Sequence, residues 1–241
     1  MKQLLLTKIR LTHYFLGFFL IFFAVVFLAP RMKFDSAALT LFSVNSFLYG
    51  FYIAPILSSQ KLRIEELHKI VRQEANAVFA MMLTLKSFPD PIRADLKRLL
   101  YEYVNASAKQ CKAGEGEERY EKLISYCVDY RGEHQDLIRQ FLEKLVANEL
   151  NRTNFAMQMT NRVFSNEWMI MLVLFTVTLS FVMLLDAGDG AVYRVLAALL
   201  CTGLTMLLVI LVKMSTLTHK KAKQIWDPYK TLIRTHFYRI D

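Results

Sequence analysis

Charge is missing from four long stretches of this 241-residue chain. Leu11–Pro30, Ser36–Gln60, Trp168–Leu185 and Val195–Val212 contain no Asp, Glu, Lys or Arg. They run to 20, 25, 18 and 18 residues, enough for an α-helix to cross a hydrocarbon core about 30 Å thick. Their Leu, Ile, Phe and Val residues favour insertion by about 0.3–0.6 kcal/mol each at a helix centre. Four such runs argue against a soluble domain. The same lack of charge argues against ion-coupled transport, because pumps and coupled transporters commonly hold an ionisable group at depth. His13 is the only histidine in the runs, and it lies near an end, where an interfacial role fits. The third and fourth runs also lack the proline often found in broken transporter helices.

Catalytic and metal-binding patterns are absent too. The three cysteines form no CxxC pair: Cys111 and Cys127 fall in the charged middle and Cys201 in the fourth run, which reads as reduced, structural thiols. His13, His68, His134, His219 and His236 are scattered, with no Cys or acidic residue at metal-ligand spacing. Glu65 and Glu66 are adjacent, so on a helix they do not share a face. No serine nucleophile elbow or zinc-protease helix occurs. The Gly-rich stretch Lys112–Glu117 lacks the spacing and the Lys-Ser/Thr pair of a phosphate loop, and it reads as a solvated turn. The expectation is no enzyme, no catalytic residue, no metal and no cofactor.

What is present is positive charge on one side of a four-span topology. The formal net charge is +9. Residues 1–10 carry three basic and no acidic residues, residues 213–241 seven basic and two acidic, and residues 58–165 seventeen basic and fifteen acidic. The links Arg31–Asp35 and Asp186–Arg194 carry +1 and −1. The positive-inside rule places both termini and the middle segment in the cytoplasm and both links outside. The basic residues orient the chain and meet anionic lipid. No basic stripe with interleaved aromatics points to nucleic acid. The first run exceeds a signal-peptide core, and Phe27–Arg31 is a poor cleavage site, so it reads as a retained span.

The predicted organisation is all-α: a membrane hairpin over 1–60 (spans 11–30 and 36–60), a helical cytoplasmic region over 61–165 inserted between spans two and three, a second hairpin over 166–213 (spans 168–185 and 195–212), and a basic cytoplasmic tail over 214–241. Within the middle, Leu67, Ile70, Val71, Val78, Met81, Met82 and Leu85 recur at helical spacing. Phe88-Pro89-Asp90-Pro91 ends that helix and starts the next, with Asp90 as cap and Pro91 in the first position. Ile92, Leu96, Leu99, Leu100, Tyr103 and Val104 make its stripe. Tyr120, Leu123, Ile124, Cys127 and Val128 mark a third helix. A fourth begins near Glu133, with Leu137, Ile138, Phe141, Leu142, Leu145 and Val146, and runs on through Phe155, Met159 and Val163 toward the membrane.

The second span has an unusual centre, Ser43-Val44-Asn45-Ser46-Phe47-Leu48-Tyr49-Gly50-Phe51-Tyr52. At about 100° per residue, Ser36, Thr40, Ser43, Phe47, Gly50, Phe51, Ala54 and Ser58 share one side. Asn45, Tyr49, Tyr52 and Ile56 gather opposite. Small residues, Asn and Tyr can serve helix packing in membranes. The alternative is a pore strip: hydroxyls line wet stretches, and Phe47 and Phe51, repeated around a ring, gate by dewetting. One strip cannot enclose a path, so this reading needs an oligomer.

The stretch Ser46-Phe47-Leu48-Tyr49-Gly50-Phe51-Tyr52 resembles the Ser-Phe-x-x-Gly-Phe-Tyr element in the second membrane helix of bestrophin anion channels. Glu74-Ala75-Asn76-Ala77, Phe88-Pro89-Asp90-Pro91-Ile92-Arg93-Ala94-Asp95-Leu96 and Leu99-Leu100-Tyr101-Glu102-Tyr103-Val104 resemble the bestrophin-like membrane family of bacteria. The resemblance implies a pentamer in the bacterial inner membrane that passes inorganic anions. It maps Phe47 and Phe51 onto an apolar neck, with Ser43 one turn earlier and Gly50 beside them as pore-lining residues. Glu74 and Asn76 become family-motif residues that fix helix contacts. The chain departs from bestrophins where Ser43 replaces a large apolar residue and Val44 a proline. An Arg-Trp-Trp that commonly follows the helix is replaced around Ser58-Ser59-Gln60, and no acidic calcium clasp occurs near the C-terminus. These departures bear on selectivity and calcium gating, not on architecture. A second class stays open: a non-conducting scaffold or signalling protein, including a proton-driven stator type, whose cytoplasmic helices bind a partner. The stator version is disfavoured by the lack of proline and charge in spans three and four.

Overall fold

The computed structural model describes residues 10–108, 113–161, 163–186, 190–218 and 224–235. These are helical almost throughout: α1 Leu11–Leu28, α2 Ser36–Leu85, α3 Asp90–Ala108, α4 Ala113–Asp129, α5 Gln135–Thr160, α6 Ser165–Leu184, α7 Ala191–Ser215, a 3₁₀ turn Gln224–Trp226, and α8 Asp227–Thr235. Four helical stretches are long and apolar enough to cross a membrane: Leu11–Leu28, Ser36–Leu85, Gln135–Leu184 and Ala191–Ser215.

Local chemistry sets the boundaries. Proline disfavours a helical residue before it, and α1 stops before Pro30 with Ala29 extended. The Asp35 carboxylate accepts the Ala38 N–H at 2.8 Å, capping α2. That helix then runs for 50 residues, through Pro55. The α5 helix ends where the sequence offers no Gly or Pro. Instead the Arg63 guanidinium takes the orphan carbonyls of its last turn, Nε donating to Gln158 O at 2.7 Å and Nη2 to Met159 O at 3.1 Å. Val163 therefore lies between helices, not on a continuous one as expected. The Glu167 carboxylate reaches back to the Phe164 N–H at 3.0 Å and starts α6.

One other expectation is corrected. Ala113–Glu117 is the start of α4, not a turn. Val128 and Val146 lie on the helices they mark and are exposed there. The apolar helices also extend beyond the uncharged runs, so Glu167 and Arg194 fall in the first turns of α6 and α7. Cys111 lies outside the described residues, as do Lys112, His219 and His236.

The chain divides into two compact units. The first comprises Met1–Leu62 and Arg162–His219, and the second Arg63–Asn161 and Lys220–Asp241. In the first, α1 packs along α7 and α7 along α6. Tyr49, Ile53, Met171, Leu208 and Leu211 form one apolar cluster, and Phe22, Val182, Ala198 and Cys201 another. The links after α1 and α6 are joined by a parallel bridge. Met32 N–H donates to Leu184 O at 2.8 Å, and Asp186 N–H to Met32 O at 3.0 Å. In the second unit the core is Leu67, Val71, Val78, Met81, Met82 and Leu85 of α2 with Leu96, Leu100, Leu123, Phe141 and Leu145, all fully buried. The tail is not merely basic: Ile225, Tyr229 and Leu232 are buried, and α8 packs on α3.

Candidate functional site

In an apolar unit an amide side chain needs a partner, since an unpaired polar group away from water costs several kcal/mol. Asn45 finds two on α6. Its Nδ2 donates to Leu174 O at 3.1 Å and to Thr178 Oγ1 at 2.8 Å. Tyr49, one turn on, is 2% exposed. Its ring lies 6.2 Å from that of Phe175, and its hydroxyl donates to Leu204 O of α7 at 3.5 Å. Tyr52 and Ile56 pack against the same cluster. This side of α2 is fixed to α6 and α7.

The opposite side of this part of α2 faces outward, and it is not uniform. Leu41 and Leu48 form an exposed aliphatic edge, with the exposed Val44 between it and Phe51. The other edge holds Ser43, Phe47, Gly50 and Phe51, all exposed, the two phenylalanines at 69% each. Their rings are 6.0 Å apart and 18° from parallel. The Ser43 hydroxyl donates to Leu39 O at 2.9 Å, so it is satisfied within its own helix. A Cβ on Gly50 would meet nothing within 4 Å. Pro55 follows in the helix, and its missing N–H removes the usual ladder partner of the Phe51 carbonyl. The structure thus brings Ser43, Phe47, Gly50 and Phe51 onto one open surface.

Glu74 lies in the second unit and is 3% exposed. Tyr103 of α3 donates to its Oε1, and Tyr229 of α8 also hydrogen-bonds to it. Arg152 of α5 approaches to 3.9 Å but pairs more closely with Glu117, at 2.6 Å. The guanidinium stacks 3.8 Å above the Tyr120 ring and 5.0 Å from that of Tyr103. Tyr120 donates to Leu145 O at 2.7 Å and accepts from Asn148 Nδ2 at 3.3 Å. Burial pushes the Glu74 carboxyl up to about 7, against the lowering effects of Tyr229 and Arg152. Burial likewise raises the Tyr229 and Tyr120 hydroxyls well above their ordinary value. A cavity of about 60 Å³ opens beside Glu74, Glu117, Arg152 and Trp226. Five helices meet in this knot. Asn76 does not join it: it is exposed, lining a groove of about 510 Å³ with His68, Arg72 and Asp227.

Sequence reasoning singled out Glu74 but missed Arg152, Asn148 and Tyr229 as its neighbours. The signal was periodicity. Glu74 continues the buried stripe Leu67, Val71, Val78, Met81, and Asn148 and Arg152 continue Ile138, Phe141, Leu145. A polar residue in step with an apolar stripe must find partners inside.

A family model, the bestrophin-like domain, matches residues 11–219. The chain belongs to the bestrophin-like family. The bestrophin-like domain thus spans α1 through α7 and includes Ser43, Phe47, Gly50, Phe51, Glu74 and Asn76, while Tyr229 on α8 lies beyond it. With its long apolar helices, this bestrophin-like chain is a membrane protein. No curated protein and no solved structure matches it.

Proposed function

We propose that the protein is an oligomeric ion channel for inorganic anions, with an apolar neck formed by Phe47 and Phe51 of α2. The observation that carries this is the division of the exposed arc of α2. Lipid contact explains its Leu41 and Leu48 edge and suits phenylalanine as well, but it does not call for Ser43 and Gly50 beside the two stacked phenylalanines on the other. A ring of such edges makes a passage wetted near Ser43 and closed to water at the phenylalanines. The bestrophin-like family suggests ion channels, which supports the reading.

In this account Leu11–Leu28, the first part of α2, α6 and α7 are the four spans. The bridge between Met32 and Leu185 supports placing both links on one face of the membrane. The charge distribution puts both termini and the second unit in the cytoplasm of a bacterial cell, with the spans in its inner membrane. A pentamer follows if the assembly is that of bestrophins. The test is reconstitution: purified protein in liposomes carries chloride flux, and light scattering in mild detergent gives a ring of subunits. Silent bilayers with a monomer or dimer would instead favour a non-conducting scaffold.

A further inference from the structure

The two arginines of the links end at one cavity. About 230 Å³ in volume, it is lined by Arg31 and Arg194 together with apolar residues that include Val26, Phe42, Val182 and Leu200. Arg194 sits in the first turn of α7, where the helix dipole favours an anion beside it. Its Nε is buried with no hydrogen-bond partner, and its guanidinium lies 4.8 Å from the centre of the Phe27 ring. An unpaired guanidinium N–H in an apolar setting is costly. Arg31 meets Asp186 at 3.9 Å, and both guanidinium groups line the cavity. Two guanidinium groups in an otherwise largely apolar lining fit one chemistry: a phosphate attached to a hydrocarbon chain.

We infer that this cavity binds an anionic phospholipid, its headgroup phosphate held by Arg194 and Arg31 and one acyl chain lying along Val26, Val182 and Leu200. The inference rests on the four-span reading, which puts the links at headgroup depth. A guanidinium matches phosphate with two parallel N–H donors, which an ammonium cannot do. The aliphatic wall explains why the site takes a lipid and not the free ion.

Native mass spectrometry of the full-length protein, extracted from vesicles of mixed phosphatidylglycerol and phosphatidylcholine with matched chains, tests this. Wild type retains phosphatidylglycerol over phosphatidylcholine by roughly tenfold, the size of one charge-assisted hydrogen bond. Arg194→Gln abolishes the preference, while Leu200→Trp fills the slot and lowers retention of both lipids with the arginines intact. Millimolar inorganic phosphate does not displace the lipid. Equal retention of both lipids by wild type, an unchanged preference in Arg194→Gln, or displacement by phosphate alone overturns the inference. So does loss of the oligomer in either variant, which would make the cavity a contact between copies. A carbonate wash that releases the protein from membranes would overturn the four-span reading itself, whereas retained protein with no lipid preference would overturn only this site.

Discussion

The two units differ in how many polar side chains they tie together between helices. In the first, hydroxyls mostly turn back on their own helix: Thr40, Ser43, Thr176, Thr202 and Thr205 each donate to the carbonyl four residues earlier. Asn45 and Tyr49 are the exceptions among these described residues, reaching α6 and α7. In the second unit, Glu74, Tyr103, Tyr120, Asn148, Arg152 and Tyr229 bond between helices. A hydroxyl satisfied locally places few demands on its surroundings, so a face carrying it can change neighbours. A buried cross-helix network fixes one arrangement, because removing one member strands the rest. The channel reading uses both: an α2 face free to meet other copies, and a rigid knot further along the same helix.

The comparison is broken most severely at Arg152. Its removal leaves Glu74 buried without a cation, so Arg152→Ala costs about 3–5 kcal/mol at pH 8. The cost shrinks at pH 6, where the carboxyl takes up a proton instead. Thermal unfolding followed by Trp226 fluorescence in a Trp168→Phe background reads this, since Trp226 lies 5.5 Å from Phe155 and 6.3 Å from Tyr229. Equal losses at both pH values would separate Glu74 from Arg152.

Glu74 itself gives the next effect. Its folded carboxyl titrates at about 7 instead of 4.5, so between those values the folded chain holds a proton that the unfolded chain has released. The group's contribution is full below 4.5 and lost as pH rises through about 7. Glu74→Gln should flatten the fall in melting temperature over that window. A fall of unchanged slope would locate the titrating group elsewhere.

The smallest effects lie in the apolar unit. Asn45→Ala should cost about 1–2 kcal/mol in detergent melts, whereas Thr176→Ala, which loses only a bond within its own turn, should stay within about 0.5 kcal/mol. Similar values for both would erase the distinction between local and cross-helix bonding.

Much of this was legible in the residues. Run lengths mark the apolar helices, and the wheel of α2 alone separates Asn45 and Tyr49 from Phe47 and Phe51. Other features depend on distant partners that periodicity alone does not name. The end of α5 is made by Arg63, nearly 100 positions earlier in the sequence. The α4 start looked like a turn because its glycines outweighed the acidic residues beside them. Tyr229 had no visible role until α8 was seen to pack on α3. The unpaired Arg194 Nε is likewise set by three-dimensional surroundings, although the charge itself was plain.

Thiol modification in conducting liposomes tests the central claim most directly. Phe51→Cys and Ser43→Cys are compared with Leu48→Cys on the aliphatic edge, using a water-soluble methanethiosulfonate during anion-flux recording. The account predicts that modification at 51 and 43 changes the flux while Leu48→Cys remains unreactive. Reaction at 48 with silence at 43 and 51 would contradict it, placing the pore on the other edge of α2.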